Sequence, residues 1–347
     1  ISRMLTIALE ICARPKETLK NYTVYELAAI VQENINSELN EVTEKVLPQK
    51  EEETQPEVML KAYGKKVTAR FRKAERNGSA EVMDRAIKAL IKFSGKEDLP
   101  LSEITFTFLL EFEADWLSKG NGFGGLGVVL RAVRYLINLA IMDKSTPLSI
   151  ESYPFGRHGY SIKKGRSKPR AISIDYIQKI RDQDYKIGSK KWHHRNYFLF
   201  MFNLRGMNFY DLCLLKLNSI EGERLIYDRS KTRRGNNVKT FNIKLTDEAK
   251  SIFSYYAQGK KKTDLLFPVM ADAINIEDKE EVYKIYRSRI SGHNYYLSKI
   301  AKDIGLEGKL TTYVARHTFA TTGLYKGVAK AQIGEMLGHT NSNTTEA

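Results

Sequence analysis

Apolar positions along this chain recur mostly at the three-and-four spacing of an amphipathic helix, and one short region alternates instead in the two-residue period of a strand. Within 24–39, Leu27, Ile30, Val31 and Ile35 form a first helical stripe. An acidic stretch with Gln and Pro, EKVLPQKEEETQPE, follows and has the composition of a solvated linker. From 58 to 143 the helical period continues, divided into helices over 58–76, 80–93, 105–117 and 126–142, with Ser79 as a cap and Gly95 as a stop. Four helices of that length predict a small bundle. The period is lost over 147–172, PLSIESYPFGRHGYSIKKGRSKPRAI, which reads as an extended linker. Beyond it come a short helix over 174–181 behind Ser173 and WHHRNYFLFMFNL, apolar nearly all round and therefore a buried central helix. Two strand-like runs, RLIYDRSKT and VKTFNIKL, are joined by RRGNN as a hairpin. A Tyr-rich helix over 281–304 precedes the terminal helices, and Gly338 closes the last apolar turn.

The fold class predicted is mainly α with a small β-hairpin or sheet. Its domains are a partial N-terminal arm region and linker over 1–56, a helical domain over 57–146, the interdomain linker 147–172, and a mixed α+β domain over 173–347.

An apolar fraction of 42% over 347 residues supports real cores and excludes disorder throughout. The formal charge of +15 points to a polyanion; nucleic acid is the commonest, with an anionic membrane surface or plain solubility as alternatives. Lys65, Lys66 and Arg70 crowd the first bundle helix and Arg131 and Arg134 the last, a pattern that suits either a phosphate-tracking surface or a solvated face. Arg157, Lys163, Lys164, Arg166 and Lys168 make the linker densely basic, a further candidate DNA contact. Cys12 and Cys213 lie far apart, so neither a disulfide framework nor a metal-ligand pair is indicated, and a reducing cytoplasm fits. No apolar run approaches the roughly eighteen residues of a spanning helix, and no membrane association is expected.

GNGFGG, at 120–125, satisfies the G-x-G-x-x-G pattern, but the segment before it is helical rather than a strand, so a turn between helices is expected. His193 and His194 are adjacent, diverge on a helix, and suggest no metal site. Arg205 emerges from the buried helix and needs an anionic partner, for which Asp211 is a candidate. Tyr313 and Arg316, three residues apart, share one helix face and can serve one ligand. His339 stands just past the helix that Gly338 ends.

YVARHTFAT followed by LGH resembles the second half of the tyrosine recombinase (phage integrase) signature, and LRGMNFYDL resembles its first arginine box. The resemblance implies a helical SAM-like core-binding domain and a recombinase catalytic domain. It implies Arg205 and Arg316 as the phosphate-binding arginines, His339 as a phosphate ligand, and a hairpin lysine as general acid: Lys231, with Lys239 and Lys244 as rivals. Tyr313 stands where the family usually has a histidine, and Asn208 where it has an acid. The tyrosine nucleophile is expected one residue beyond Ala347, so the chain as it stands is expected not to cleave. The activity implied is site-specific cutting and rejoining of double-stranded DNA without cofactor or metal, by a homotetramer on paired sites when full-length, a monomer otherwise, in the bacterial cytoplasm at the nucleoid. The alternatives are an inactive DNA-binding accessory protein of the same fold and a type IB topoisomerase.

Overall fold

A computed structural model describes residues 57–157, 159–165, 170–230, 238–273 and 275–338. The N-terminal arm region, Lys231, His339, Arg166 and Lys168 lie outside the described residues. The fold is mostly helical with one small antiparallel sheet, as expected.

The first lobe holds helices α1 (Leu60–Lys73), α2 (Asn77–Ser94), α3 (Phe106–Ser118) and α4 (Phe123–Met142). Their boundaries follow local chemistry. Thr105 caps α3 by accepting from the Phe108 backbone N–H, and Gly95 ends α2 in the left-handed conformation. Ser79 is not a cap. α2 begins two residues earlier, and the Asn77 side chain donates instead to the Lys279 carbonyl at 2.8 Å. The glycine run is the turn between α3 and α4, and its last three residues form the first turn of α4.

By length and hydropathy α4 could cross a membrane, the one such helix among the described residues. It lies in the bundle core, however, with Leu126, Leu130, Val133 and Leu136 buried there, and Arg131 and Arg134 interrupt its outer face. Apolarity reflects burial in protein here.

The linker, expected to be extended between the lobes, is partly packed on the first of them. Phe155 and Tyr160 are buried in the bundle core, and the Tyr160 hydroxyl donates to Glu113, which also receives Lys163. Those two donors offset the desolvation of Glu113 and hold its carboxyl below the usual range.

The second lobe surrounds α6 (Lys190–Asn203), buried on nearly all sides against α5 (Ile174–Arg181), α8 (Asp247–Ala257), α9 (Lys279–Asp303) and α10 (Thr312–Tyr325). A short α7 (Phe209–Cys213) follows α6, and α11 (Lys330–Met336) closes the lobe. The sheet is a meander of β1 (Ile220–Glu221), β2 (Arg224–Asp228) and β3 (Thr240–Lys244), in register at Leu225↔Ile243 and Tyr227↔Phe241. Strand β1 and helix α8 have no counterpart in the sequence reading. The lobes meet where the start of α2 touches the start of α9: Glu81 accepts from the Tyr283 hydroxyl and pairs with Arg287 at 3.0 Å. Tyr286 packs on Phe209 and Tyr210, and Tyr296 stacks on His194. Most of the α9 tyrosines are therefore packing or interlobe groups.

Candidate active site

Arg205 follows the end of α6 in a left-handed conformation, φ 58°, with Gly206 left-handed behind it at φ 66°. A non-glycine residue held there stores strain, a feature that clusters at functional sites. This turn lies directly on α10: a side-chain carbon on Gly206 would fall 2.4 Å from the Arg316 Cα. Only glycine allows that approach.

Arg316 is anchored from two sides. One guanidinium nitrogen lies 3.4 Å from the Gly206 carbonyl, and another donates to the Leu337 carbonyl just past α11. Burial, and then the like charge of Arg229, push its pKa down to about 10, so it remains a cation at neutral pH. Arg229, at the end of β2, donates to the carbonyls of Leu337 and Gly338, each at 3.3 Å. A carbon on Gly338 would meet the Phe241 ring at 2.5 Å, and Phe241 stacks on Tyr227. The turn that leads into His339 thus rests on the sheet and on two arginines.

Asp211 does not form an ion pair with Arg205 among the described residues. Its buried carboxylate accepts from the Ser230 backbone N–H at 3.0 Å and lies in the field of Arg229 and Arg316. Burial raises its pKa, opposed by that hydrogen bond and those cations. The cause is geometric: α7 turns Asp211 toward Ser230 at the end of β2 instead of back to the Arg205 turn. Arg205, Arg229, Arg316 and Asp211 all act electrostatically on Tyr227, whose hydroxyl burial pushes upward.

Arg205 and Arg316 are thus brought together. Lys231 and His339 lie outside the described residues, but Ser230 and Gly338, which precede them, both belong to the cluster. Of the rival lysines, Lys244 stands at the far end of the sheet opposite Arg224, whereas Lys239 pairs through its carbonyl with the Arg229 N–H. Tyr313 is 49% exposed, packs against His317 at 5.0 Å and lies under the Arg170 guanidinium. Burial, Arg170 and Arg316 hold His317 below the usual histidine value. Sequence reading passed over Arg229, although its place two residues before the candidate lysine was a usable signal.

The described basic candidates Lys65, Lys66, Arg70, Arg131, Arg134, Arg157, Lys163 and Lys164 are exposed. Lys163 is partly committed to Glu113. A carbon on Gly127 would meet the Arg131 guanidinium at 3.0 Å and the Lys163 backbone carbonyl at 3.4 Å, so the linker backbone runs against α4 beside Arg131.

Beneath α7, the Nδ1 atoms of His194 and His293 are 2.8 Å apart, and His293 stacks on Phe209 at 4.4 Å. His193 turns the other way, to the Tyr256 hydroxyl at 2.6 Å. Burial holds His293 well below the ordinary value and, with His193 and Lys190 adding, takes His194 down to about 4. The fold keeps both imidazoles neutral, so the unfolded chain binds more protons in acid. Their contribution is complete above about pH 6.5 and is lost as the pH falls toward 4, for His194 alone about 3 kcal/mol at pH 4. Urea midpoints should fall over that window, and His194→Gln should flatten the curve. Parallel wild-type and variant curves would count against a neutral pair.

The geometry is matched by similarity to known proteins. The phage integrase family model matches residues 172–347, and the phage integrase SAM-like domain model matches residues 59–155. Tyrosine recombinase XerA of Saccharolobus solfataricus is 31% identical over 101 residues, 29% of this chain and 28% of that protein's length. The lambda integrase dimer bound to a COC′ core site has a TM-score of 0.57 at 16% identity, covering 83% of this chain and 94% of that one. The Tn1549 transposon integrase bound to transposon right-end DNA has a TM-score of 0.56 at 14% identity, covering 83% and 93%. At such identities the likeness speaks to the fold alone, whereas the family model spans more than half of the sequence. The chain belongs to the phage integrase family.

Proposed function

We propose that this protein is a site-specific DNA recombinase that cuts and rejoins duplex DNA through a 3′-phosphotyrosyl intermediate. The observation that carries this reading is the docking of the Arg205–Gly206 turn on Arg316, 110 residues along the chain from Gly206, beside the segments that lead to Lys231 and His339. Two guanidiniums in a partly dry site suit the equatorial oxygens of a pentacoordinate phosphate, whose added negative charge they neutralise. A tyrosine hydroxyl gives up its proton to solvent and attacks phosphorus; a bond to the phenolic oxygen forms as the bond to the 5′ oxygen breaks. Lys231 gives the leaving oxygen its proton, while His339 helps hold the phosphate. The energy of the phosphodiester is kept in the new bond, so the step calls for neither ATP nor a metal. Rejoining is the same step reversed by another strand's 5′ hydroxyl.

Duplex DNA as partner is supported by the net charge of +15 and by the exposed basic side chains of α4 and the linker. The lambda and Tn1549 integrases, which share the fold, were solved on DNA. We further take the full-length protein to act as a homotetramer on paired sites in the bacterial cytoplasm, at the nucleoid. One observation favours a second reading, a DNA-binding accessory protein without chemistry: Tyr313 replaces a proton-shuttling imidazole with an exposed phenol. A single assay separates the two. The full-length protein is mixed with nicked duplexes from the sequences flanking its gene, so that a cleaved strand diffuses away and traps the adduct. A detergent-stable protein–DNA product is expected; retained binding with no such product would leave only the accessory reading.

A further inference from the structure

Tyr313 stands in the first turn of α10, one turn before Arg316, and is half-exposed, so core packing does not fix its ring. Two neighbours do. The His317 imidazole meets the ring edge-on, at 5.0 Å between centroids. The Arg170 guanidinium stands over the ring, 5.8 Å from its centroid, within the range of a cation–π contact. Arg170 belongs to the linker, which is pinned to α10 just beyond it. The Ile172 N–H donates to the Thr318 hydroxyl at 3.1 Å, and Ile172 packs on the core of the second lobe. Thr318 is fully buried, so the pin does not depend on solvent-exposed side chains. The linker thereby delivers a guanidinium to the face of α10 that carries Tyr313 and Arg316, which lie at the spacing of helix neighbours. The groups also share one field: Tyr313 acts on Arg316, and Arg170 and Arg316 both act on His317.

We infer that Arg170 is a positioning residue: stacked on Tyr313, it holds the phenol where its O–H donates to the scissile phosphate beside Arg316. The inference rests on the recombinase reading. A phenol in this place need not shuttle a proton, because its hydroxyl donates a hydrogen bond without changing charge. What it needs is a fixed direction. A donor oriented before the phosphate arrives costs no reorganisation during the reaction, whereas a half-exposed ring free to change rotamer would have to be ordered in every turnover. A planar guanidinium suits that task, since it lies flat on an aromatic face as an ammonium cannot.

A double-mutant cycle reads this dependence directly. Single-turnover adduct formation on nicked duplex is measured for full-length wild type, Arg170→Ala, Arg170→Lys, Tyr313→Phe and the variant carrying both Arg170→Ala and Tyr313→Phe. Each is assayed at a temperature where its melting curve shows it folded. Tyr313→Phe keeps the ring and removes the donor, and should lose roughly 100-fold, the scale of one donor to a developing oxyanion. Arg170→Ala should lose roughly tenfold, and Arg170→Lys, which keeps the charge but not the plane, should fall between it and the wild type. The double variant should be no slower than Tyr313→Phe, because Arg170 then has no donor left to orient. The salt dependence of duplex binding should be the same for Arg170→Ala as for the wild type. Losses that multiply in the double variant would overturn the inference in favour of a direct phosphate contact or a general structural defect. A salt slope reduced by about one would overturn it in favour of a phosphate contact alone. Wild-type rates from Arg170→Ala or from Tyr313→Phe would overturn it as well. Failure of the wild type to form adduct would reject the recombinase reading itself, and the inference with it.

Discussion

Arg316→Ala should slow adduct formation by about 1,000-fold or more while leaving duplex affinity within about threefold. A single neutral donor to a developing oxyanion is worth roughly 100- to 1,000-fold, and charge-assisted donors are about twice as strong as neutral ones. Binding in the proposed function draws on many exposed cations, from Lys65 on α1 to Arg157 in the linker, so deleting one contact should change it little. Arg316 is also pre-oriented by the Gly206 and Leu337 carbonyls, so little reorganisation is needed when the phosphate arrives. Arg316→Lys should fail nearly as badly, because an ammonium cannot reproduce the planar fork that spans two oxygens. Trapping on nicked duplex measures the rate, and a salt-matched shift assay measures affinity. Wild-type rates from the alanine variant would end the assignment of this pocket to the chemistry.

Gly206→Ala should destabilise the fold by roughly 3 kcal/mol or more and lower adduct formation at the same time. Two costs combine. The left-handed conformation at φ 66° penalises any L side chain by about 1–2 kcal/mol. The added carbon would also fall 2.4 Å from the Arg316 Cα and 2.7 Å from its Cβ, and the atoms it meets are the body of α10 rather than the far end of a flexible side chain. Relief requires moving the Arg205 turn away from Arg316, which separates the two cations. Gly259→Ala supplies the internal control: its φ of 69° carries the same backbone penalty, but nothing lies within 4 Å of the new carbon. Urea midpoints compare the two, and equal losses would show that the close approach of the turn to α10 is not needed.

Local chemistry was legible wherever it was sufficient. Ser173 caps α5 by accepting from the Asp175 N–H, Gly95 stops α2, Gly338 ends the last turn at φ 72°, and the alternation in RLIYD and TFNIK became β2 and β3. Each is decided within one or two turns of chain. Readings that needed distant partners went astray. Asp211 looked like the counter-ion of Arg205 because they are close in sequence, yet it serves the Ser230 N–H and the field of Arg229 and Arg316. The linker looked like an extended basic strap because proline, glycine and charge dominate its composition, yet Phe155 and Tyr160 anchor it in the bundle.

The sequence by itself determined a basic, mainly helical, two-lobed chain with a small hairpin and the candidate arginines at 205 and 316, because period, capping residues and motif order are all written locally. Tertiary structure alone decided that the Arg205 turn rests on α10, that Arg229 bridges the sheet to α11, and that the Leu337 carbonyl receives two guanidiniums. The physical reason is that the acceptors organising this pocket are backbone carbonyls. Every residue carries one, so no side-chain letter marks which of them the fold will turn toward a cation.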